Sequence, residues 1–524
     1  MKKLLTIITI LTISTMGYGQ LKHNSKKPMD PATLPVAENL KGTVITDTMD
    51  FSLIYPSTKR KIQVFVPKQY DGRTPACLVV GLDGNLFGAI TVIDNLIQTG
   101  EMPVTIGIFL DPGVSYHPDG SVARYNRSNE FDRTDRLFAT FLEQEVIPFV
   151  EQMSTPDGRE IKISRDPNDR AITGASSSGI AAFTVAWERP DLFSRVYSSV
   201  GTFVAMRGGN EYPAIIRKSE PKPLRIYLQD GANDTWNHIF GDWWEYNQLM
   251  ESALNYAGYE VMNRWDKGTH SIKYGTIAYP DAMRWLWRGW PQRVECGSTM
   301  NEMITSVVDP ESKWEELVLL EGSGYGDISA SSSGLMDGTR PPKELKNSLY
   351  TTLPLPDGNA YASTKDGDIW YYNAENKKWR QMYTVENGGP QMAIYPDHRL
   401  LVTSEKNSDW LISYIIRPDG ELYAGQRFYW LHNTSNHSQC RTGNMVFDTN
   451  GNLYVATYMG VQICDQNGRV RGILSLPGGP VEELWFVGDI LMVKSGGRIY
   501  SRKLLTTAHQ SNHAPIEVKS QGQG

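Results

Sequence analysis

A run of small residues in the first half of the chain carries the side chains best suited to nucleophilic chemistry. Residues 172–179 read ITGASSSG, a short strand followed by serines and a glycine, and an apolar helical run begins at Ile180. A serine on a sharp strand-to-helix turn presents its hydroxyl above a sheet, and its neighbours must be small because the two backbones nearly touch. This stretch therefore predicts a nucleophilic serine for acyl transfer.

Two serines in this turn compete for that role. The frame Gly-x-Ser-x-Gly selects Ser176, although Ser178 stands where the second glycine is expected, and a frame shifted by one residue selects Ser177. Gly174 relieves the tight turn two residues before Ser176, whereas Ala175 would add a methyl group two residues before Ser177. We therefore predict Ser176 as the nucleophile and keep Ser177 as the alternative.

A carboxylate suited to the same chemistry follows the serine. Residues 224–228 read as a buried strand, and the polar loop 229–234 follows directly. The carboxyl end of such a strand is where α/β folds place functional side chains. Asp234 is the first choice for the acid, and Asp230 is the alternative.

A histidine able to act as the base comes last. Residues 242–256 form a predicted helix and 259–265 a predicted strand, and His270 lies in the loop after them. His117 precedes the serine, and His238 follows the acid too closely to leave room for that helix and strand. The order serine, acid, histidine is the one that α/β-hydrolases use. We therefore predict His270 as the general base, oriented by the acid.

Backbone N–H groups for a developing oxyanion are expected at two turns. The apolar strand 76–82 ends in the turn Asp83-Gly84-Asn85, which can aim N–H groups into a cleft. The residue after the nucleophile supplies a further donor. We therefore predict the N–H groups of Gly84, Asn85 and Ser177 as the oxyanion donors.

The sequence around these residues resembles a known family. Residues 55–291 resemble the enterochelin esterase and esterase D group of α/β-hydrolases. The matching segments are 64–67 (VFVP), 70–71 (YD), 82–84 (LDG), 127–131 (RSNEF), the serine turn, 187–193 (WERPDLF) and 268–270 (GTH). The resemblance implies an α/β-hydrolase domain over 35–295 that hydrolyses esters. The family's elbow usually reads Gly-x-Ser-x-Gly-Gly, so Ser178 is a departure from it.

The resemblance also implies substrate contacts in the cleft. The family's Arg-x-x-Glu pattern corresponds to Arg127 and Glu130. We expect these two side chains, together with Asp83, to contact the substrate. An ion pair between Arg127 and Glu130, which are three residues apart at a helix start, is the structural alternative.

The length of 524 residues predicts at least two domains. Lys2 and Lys3 precede an apolar run over 4–13 and small residues follow it, so residues 1–19 are predicted to be a signal peptide cut before Gln20. That apolar run is too short to span a bilayer. The formal net charge of −6 gives no electrostatic reason to bind nucleic acid or an anionic membrane.

The four cysteines are Cys77, Cys296, Cys440 and Cys464. Their spacing matches neither a disulfide framework nor a zinc site, and their pairing stays open. Cys77 lies in the apolar strand 76–82, where a buried thiol is expected.

The pattern changes after Pro291, and from about residue 314 short strand patterns recur behind polar turns. The offsets between these turns are 40, 53 and 39 residues, and the turns contain Asp357, Asp397, Asn450 and Asp489. Units of this length with short strands are typical of propeller blades. We therefore predict an all-β propeller-like domain over 310–506, followed by a flexible tail over 507–524.

Part of this second half resembles the regucalcin and gluconolactonase propellers. The resemblance is carried by residues 448–457 (DTNGNLYVAT) and 460–462 (GVQ). That family hydrolyses sugar lactones with one divalent metal held by glutamate, asparagine and aspartate. Here the corresponding positions hold Ser329, Gln391 and Gly443, which supply no carboxylate for a hard cation. We therefore predict that the protein holds no metal and no other cofactor.

Together these features predict a multidomain serine esterase, secreted or periplasmic, that acts on a small-molecule or glycan ester. The relation of the propeller to sugar lactonases favours an ester carried by a carbohydrate. Three alternatives stay open: a siderophore esterase of the enterochelin type, a non-catalytic glycan-binding protein, and a metal-dependent lactonase that uses Glu321, Asp327 or Glu386. The sequence leaves the oligomeric state open.

Overall fold

A computed structural model describes residues 29–317, 342–386, 388–405, 407–432, 442–476 and 479–518. The predicted signal peptide lies outside these residues, as do Ser329, Cys440 and the alternative ligands Glu321 and Asp327. The chain forms an α/β domain followed by a domain of small antiparallel sheets, as predicted. No helix of the described part is long and apolar enough to cross a membrane.

The strands of the first domain form one large sheet and two small hairpins. In chain order they are β1 (Thr43–Met49), β2 (Arg60–Val66), β3 (Cys77–Leu82), β4 (Thr105–Leu110), β5 (Val114–Tyr116), β6 (Val122–Tyr125), β7 (Arg170–Ala175), β8 (Arg195–Ser199), β9 (Arg225–Gly231), β10 (Trp236–Asn237), β11 (Gly241–Asp242) and β12 (Glu260–Asp266). The pairs β5–β6 and β10–β11 are the hairpins.

The large sheet has the strand order β1-β2-β4-β3-β7-β8-β9-β12. Its first three strands pair antiparallel, and the pairs from β4–β3 to β9–β12 are all parallel. The five inner strands β3, β4, β7, β8 and β9 are buried along their whole length, which explains the nearly continuous apolar sequences of β3 and β4. Because β7, β9 and β12 are parallel, the loops after them open at the same edge of the sheet.

Helices cover both faces of this sheet. They are α1 (Ala89–Gln98), α2 (Arg127–Phe131), α3 (Leu137–Phe141), a π-helical turn (Leu142–Val146), α4 (Ile147–Glu151), α5 (Ser177–Glu188), α6 (Tyr212–Lys218), α7 (Trp243–Ala257) and α8 (Ile272–Trp287), with 3₁₀ turns at Pro31–Thr33, Leu86–Gly88, Pro167–Asp169 and Gly209–Glu211. Alternate residues of a strand face opposite sides, so Leu78 and Val80 join the core beneath α5 and α7, while Val79 joins the core beneath α1 and α8.

The described residues of the second domain form four four-stranded antiparallel sheets arranged as a propeller-like ring. Its elements are α9 (Glu302–Val307), β13 (Glu315–Leu317), α10 (Lys343–Ser348), β14 (Leu349–Pro354), β15 (Ala360–Thr364), β16 (Asp368–Asn373), β17 (Lys378–Thr384), β18 (Met392–Ile394), β19 (Leu400–Ser404), β20 (Trp410–Ile416), β21 (Leu422–Trp430), β22 (Met445–Phe447), β23 (Leu453–Thr457), β24 (Gly460–Cys464), β25 (Val470–Leu474), β26 (Glu483–Val487), β27 (Ile490–Ser495) and β28 (Arg498–Lys503). Each predicted polar turn joins the first two consecutive strands of one sheet.

The fourth sheet is assembled from both ends of the domain. Strands β26, β27 and β28 form consecutive hairpins, and β13, from before the first sheet, pairs antiparallel with β28. Leu317 lies opposite Ile499 in this pairing. This arrangement joins the start of the ring to its end.

The two domains share a buried boundary. Ser219, at the end of α6, forms a bridge with Ile473 of β25, and Arg502 makes a two-pronged ion pair with Glu220 at 2.6 and 2.7 Å. Asn301 donates its side-chain N–H groups to the carbonyl oxygens of Arg217 and of Arg471 in β25. Buried side chains of both domains belong to one hydrophobic cluster.

The first part of the expected flexible tail is held against the sheets. The N–H of His509 donates to the carbonyl of Phe447 at 2.9 Å, and the N–H of Ile516 donates to the carbonyl of Pro396 at 3.0 Å. These hydrogen bonds join residues 509 and 516 to strand β22 and to the turn after β18.

The described cysteines are all free. Cys77 and Cys464 are buried and Cys296 is exposed. Burial raises the pKa of the Cys77 thiol, which is typical of an inert structural thiol.

Candidate active site

Ser176 occupies a sharp turn between β7 and α5. Its backbone has φ +59° and ψ −123°, a conformation that L-residues rarely adopt. A Cβ on Gly174 would lie 2.1 Å from the carbonyl oxygen of Ser178, so only glycine fits two residues before the turn. Ser177 is the first residue of α5 and is buried. The geometry therefore places Ser176, and not Ser177, at the apex of the elbow.

The buried side chain of Ser178 stabilises this elbow through hydrogen bonds. Its Oγ accepts the N–H of Ala175 at 2.8 Å and donates to the carbonyl of Ala175 at 2.7 Å. The side chain is fully buried, so no water competes for these bonds. The departure from the family's glycine thus adds two hydrogen bonds between the end of β7 and the first turn of α5.

Ser178→Gly, which would restore the family's elbow sequence, is expected to destabilise the protein. Each lost hydrogen bond lowers the free energy of unfolding by about 1 kcal/mol, and a glycine inside a helix lowers it by about 1 kcal/mol more. Thermal melts should show a Tm lower by several degrees, with hydrolysis reduced less than about tenfold. Ser178→Ala is the matched control that loses the hydroxyl without adding glycine. A Tm for Ser178→Gly at or above that of the parent would contradict this account.

The structure brings Ser176, Asp234 and His270 together in one chain of hydrogen bonds. His270 Nε2 lies 2.8 Å from Ser176 Oγ, and His270 Nδ1 lies 2.7 Å from Asp234 Oδ1. A proton on Nδ1 serves the carboxylate, which leaves Nε2 as the acceptor for the serine O–H. This is the geometry of a nucleophile, a base and an orienting acid.

The Asp234 carboxylate is shielded from solvent, whereas 29% of the His270 side chain is exposed. Burial opposes ionisation of Asp234, but hydrogen bonds from His270, Asp230 and the Thr235 N–H outweigh it and lower the pKa of Asp234. The acid is therefore an anion at neutral pH. A buried anion beside the imidazole stabilises the imidazolium that forms when the base takes a proton.

Two parallel strands place the acid and the histidine side by side. The N–H of Ala232 donates to the carbonyl oxygen of Asp266 at 2.8 Å, and the N–H of Asn233 donates to that of Gly268 at 2.9 Å. Backbone hydrogen bonds therefore connect the loop after β9 to the end of β12 and the loop after it. A Cβ on Gly231 would lie 2.5 Å from the N of Gly268. The loops can approach this closely only because position 231 is glycine.

Two further side chains at the site were not found by sequence reasoning. Thr202 Oγ1 lies 3.3 Å from Ser176 Oγ and accepts the Trp243 Nε1–H at 3.2 Å. The Trp243 ring meets the His270 ring edge-on, with centroids 5.6 Å apart. Neither residue belongs to a motif; Trp243 is distinguished only by opening the helix that follows the acid loop.

The three N–H groups predicted as oxyanion donors differ in whether they already have a hydrogen-bond acceptor. The Gly84 N–H donates to Leu110 O at 3.0 Å, so it is occupied and the prediction for Gly84 is wrong. The N–H groups of Asn85 and Ser177 have no acceptor in the part of the chain that the structure describes. Ser177 begins the 12-residue helix α5, where the partial positive charge of the helix N-terminus adds to its N–H.

Asp83 and Arg127 bind each other rather than standing free. Arg127 Nε donates to Asp83 Oδ1 at 2.8 Å, and Nη2 donates to Asp83 Oδ2 at 2.6 Å. Arg127 Nη2 also reaches the carbonyl of Ala175, beside the nucleophile, at 3.4 Å. The pair therefore ties the turn after β3 to the elbow and borders the site, with 37% of the Arg127 side chain exposed.

Glu130 is not placed to contact a substrate. Its side chain is fully buried and accepts two hydrogen bonds from Arg60, at 2.7 and 3.0 Å. Asn126 Nδ2 and the Gly113 N–H also donate to it. The expected substrate contact is therefore wrong for Glu130, and so is the alternative ion pair with Arg127.

The propeller positions aligned with metal ligands do not fit a hard cation. The side-chain amide of Asn444, next to Gly443, is hydrogen-bonded to the backbone of Leu484. Its Nδ2 donates to the Leu484 carbonyl oxygen at 2.6 Å, and its Oδ1 accepts the Leu484 N–H at 2.8 Å. Gln391 Oε1 accepts from the Thr351 hydroxyl at 3.2 Å. Across the described residues, no group of three or more His, Cys, Asp or Glu side chains is arranged to hold a metal.

Residues 55–274 match the model of the Esterase family, whose description reads "Putative esterase". A search of curated proteins gives no match. The first domain is that of a carboxylic ester hydrolase, as predicted from the sequence.

Solved structures similar to each half of the chain also exist. One is a ferulic acid esterase, 18% identical, with 48% of this chain and 99% of that chain covered and a TM-score of 0.35. Another is the enterobactin esterase from Shigella flexneri, 18% identical, with 50% and 64% covered and a TM-score of 0.39. A gluconolactonase from Xanthomonas campestris is 17% identical, with 30% and 57% covered and a TM-score of 0.26. This chain thus spans less than two thirds of the length of the last two.

Proposed function

We propose that this protein is a serine esterase in which Ser176, His270 and Asp234 act as a catalytic triad. The observation that carries the proposal is the continuous hydrogen-bond chain from Ser176 Oγ through the imidazole to Asp234 Oδ1. The strained turn that holds the hydroxyl at the end of β7 supports it, since backbone strain of this kind is concentrated at functional sites.

The reaction would proceed in two acyl transfers. Ser176 Oγ attacks the ester carbonyl carbon while His270 Nε2 takes the hydroxyl proton, and the imidazolium then gives that proton to the departing alcohol. Water attacks the resulting acyl-serine ester with His270 again as the base, releasing the acid and restoring the serine. Asp234 holds the tautomer and stabilises the imidazolium throughout.

The N–H groups of Ser177 and Asn85 would bind the oxygen that becomes negative in each tetrahedral intermediate. Each belongs to a backbone fixed by its fold, one at the start of α5 and the other in the turn after β3. Donors that are already oriented need no rearrangement when the charge forms, which is why they accelerate acyl transfer strongly.

The substrate is proposed to be an ester carried by a carbohydrate. The propeller has an exposed aromatic side chain of the kind on which sugar rings stack, since Trp430 is 52% exposed and stacks at 29° on Trp410 with centroids 6.2 Å apart. Competition between an acylated oligosaccharide and a siderophore trilactone tests this choice. A higher kcat/KM on the trilactone would favour the siderophore alternative instead.

Hydrolysis is expected to be unaffected by EDTA, because each proposed reacting group is a side chain or a backbone N–H. The assay should compare p-nitrophenyl acetate with a sugar lactone, each with and without the chelator. Lactone turnover lost in EDTA and restored by one equivalent of a divalent metal would move the chemistry to the propeller.

Export is also part of the proposal. The apolar run after Lys2 and Lys3 supports a signal peptide that ends before Gln20. N-terminal sequencing of protein recovered from outside the cytoplasm tests this directly. A mature chain that still begins at Met1 would contradict it.

A further inference from the structure

Asp230 lies four residues before the proposed catalytic acid and has no part in the triad. It sits near the end of β9, and its side chain is completely shielded from solvent. Its Oδ1 accepts the N–H of Gly231 at 2.7 Å. A buried carboxyl group that receives only this one N–H from the described residues requires an explanation, because burying a charge without partners is costly.

Asp230 and Asp234 each have one carboxyl oxygen that is buried without an N–H or hydroxyl partner among the described residues. Oδ2 of Asp230 and Oδ2 of Asp234 are both buried, and no N–H or hydroxyl group of the residues that the structure describes donates to either. A hydrogen bond between these two carboxyl groups raises the pKa of Asp230 and lowers the pKa of Asp234. Two ionised carboxylates would repel here, whereas one shared proton would satisfy both oxygens.

The surroundings favour the proton on Asp230. Burial, then the hydrogen bond to Asp234 and the charge of Asp234, raise the pKa of Asp230 to about 10. Asp266 on the neighbouring strand β12 acts in the same direction. His270 engages the other oxygen of Asp234, with Nδ1 lying 2.7 Å from Oδ1.

We infer that Asp230 is a positioning residue whose protonated carboxyl donates its O–H to Asp234 Oδ2. Asp234 is then held through both oxygens, with Oδ2 bound to Asp230 and Oδ1 left to orient His270. The base thus faces one negative charge instead of two. This inference rests on the proposed triad.

Asp230→Asn and Asp230→Ala are a matched pair of variants, because both remove the carboxyl but only asparagine keeps a donor for Asp234. Asp230→Asn should keep kcat within about threefold of the parent. Asp230→Ala should lose about 10- to 100-fold in kcat with little change in KM, as expected when a catalytic group is misplaced. The rising limb of its pH–rate profile should move to higher pH, because an Asp234 carboxylate without its donor holds the imidazolium more tightly.

A melting experiment tests the protonation without using activity. An unfolded aspartate ionises near pH 4, so a carboxyl that stays protonated in the folded protein stabilises the fold less and less as pH rises from there toward 10. Asparagine has no such dependence. The Tm of Asp230→Asn should therefore gain on that of the parent as pH rises from about 5 to 9.

Three results would overturn the inference: full activity in Asp230→Ala, equal damage in both variants, or a Tm difference that does not change with pH. Failure of the proposed function looks different. In that case the parent itself would not hydrolyse esters, while the Tm series would still report whether Asp230 is protonated.

Discussion

Ser176→Ala is expected to abolish ester hydrolysis and labelling by a fluorophosphonate while leaving the fold intact. The hydroxyl is the only group of this side chain that the proposed chemistry uses, and alanine fills the same strained position with one atom fewer. Loss of a serine nucleophile typically lowers kcat by about five to six orders of magnitude. Rates on p-nitrophenyl acetate and mass spectrometry of the labelled protein measure both effects.

Ser177→Ala is the matched control, since it removes a neighbouring hydroxyl but keeps the backbone N–H proposed for the oxyanion. It should still be labelled and should keep most of its rate. Labelling that survives in Ser176→Ala and disappears in Ser177→Ala would show that the nucleophile lies one residue further on.

His270→Ala should be almost as inactive as the serine variant, because no other imidazole in the described residues bonds to Ser176 Oγ. Any rise of the parent's rate with pH should be absent from the residual rate of this variant, since only a neutral imidazole can accept the serine proton. A pH–rate profile of kcat/KM for each protein provides the measurement.

His238→Ala is the control for this experiment. His238 lies between β10 and β11 with its ring 4.3 Å from that of Trp236, whereas the imidazole bonded to Ser176 is that of His270, in the loop after β12. This variant should keep most of its activity. An unchanged rate in His270→Ala would remove the triad from the proposal altogether.

The order of elements was enough to select the residues that meet at the site. A serine, an acid and a histidine that each follow a parallel strand must come to the same edge of the sheet, whatever the lengths of the helices between them. Sequence reasoning could therefore choose Ser176, Asp234 and His270 without knowing any distance. The strand and turn spacing in the second half was equally informative about its small sheets.

Contacts between distant parts of the chain were beyond the sequence. Arg127 bonds to Asp83, 44 residues away, and Glu130 bonds to Arg60, 70 residues away, so the local spacing of Arg127 and Glu130 was misleading. A charged side chain pairs with whichever partner the fold brings close, and spacing along one helix reveals only the nearest candidates. The occupied N–H of Gly84 has the same origin, because its acceptor belongs to β4.

The buried boundary between the two domains bears on how the molecule comes apart. Independent domains are joined by flexible linkers that few contacts cross, and each melts at its own temperature. Here Glu220 and Ser219 of the esterase half are partnered by Arg502 and Ile473 of the propeller, and apolar side chains of both halves share one cluster. Heating should therefore produce a single calorimetric transition in which both domains unfold together. The propeller would then stabilise the fold of the hydrolase domain.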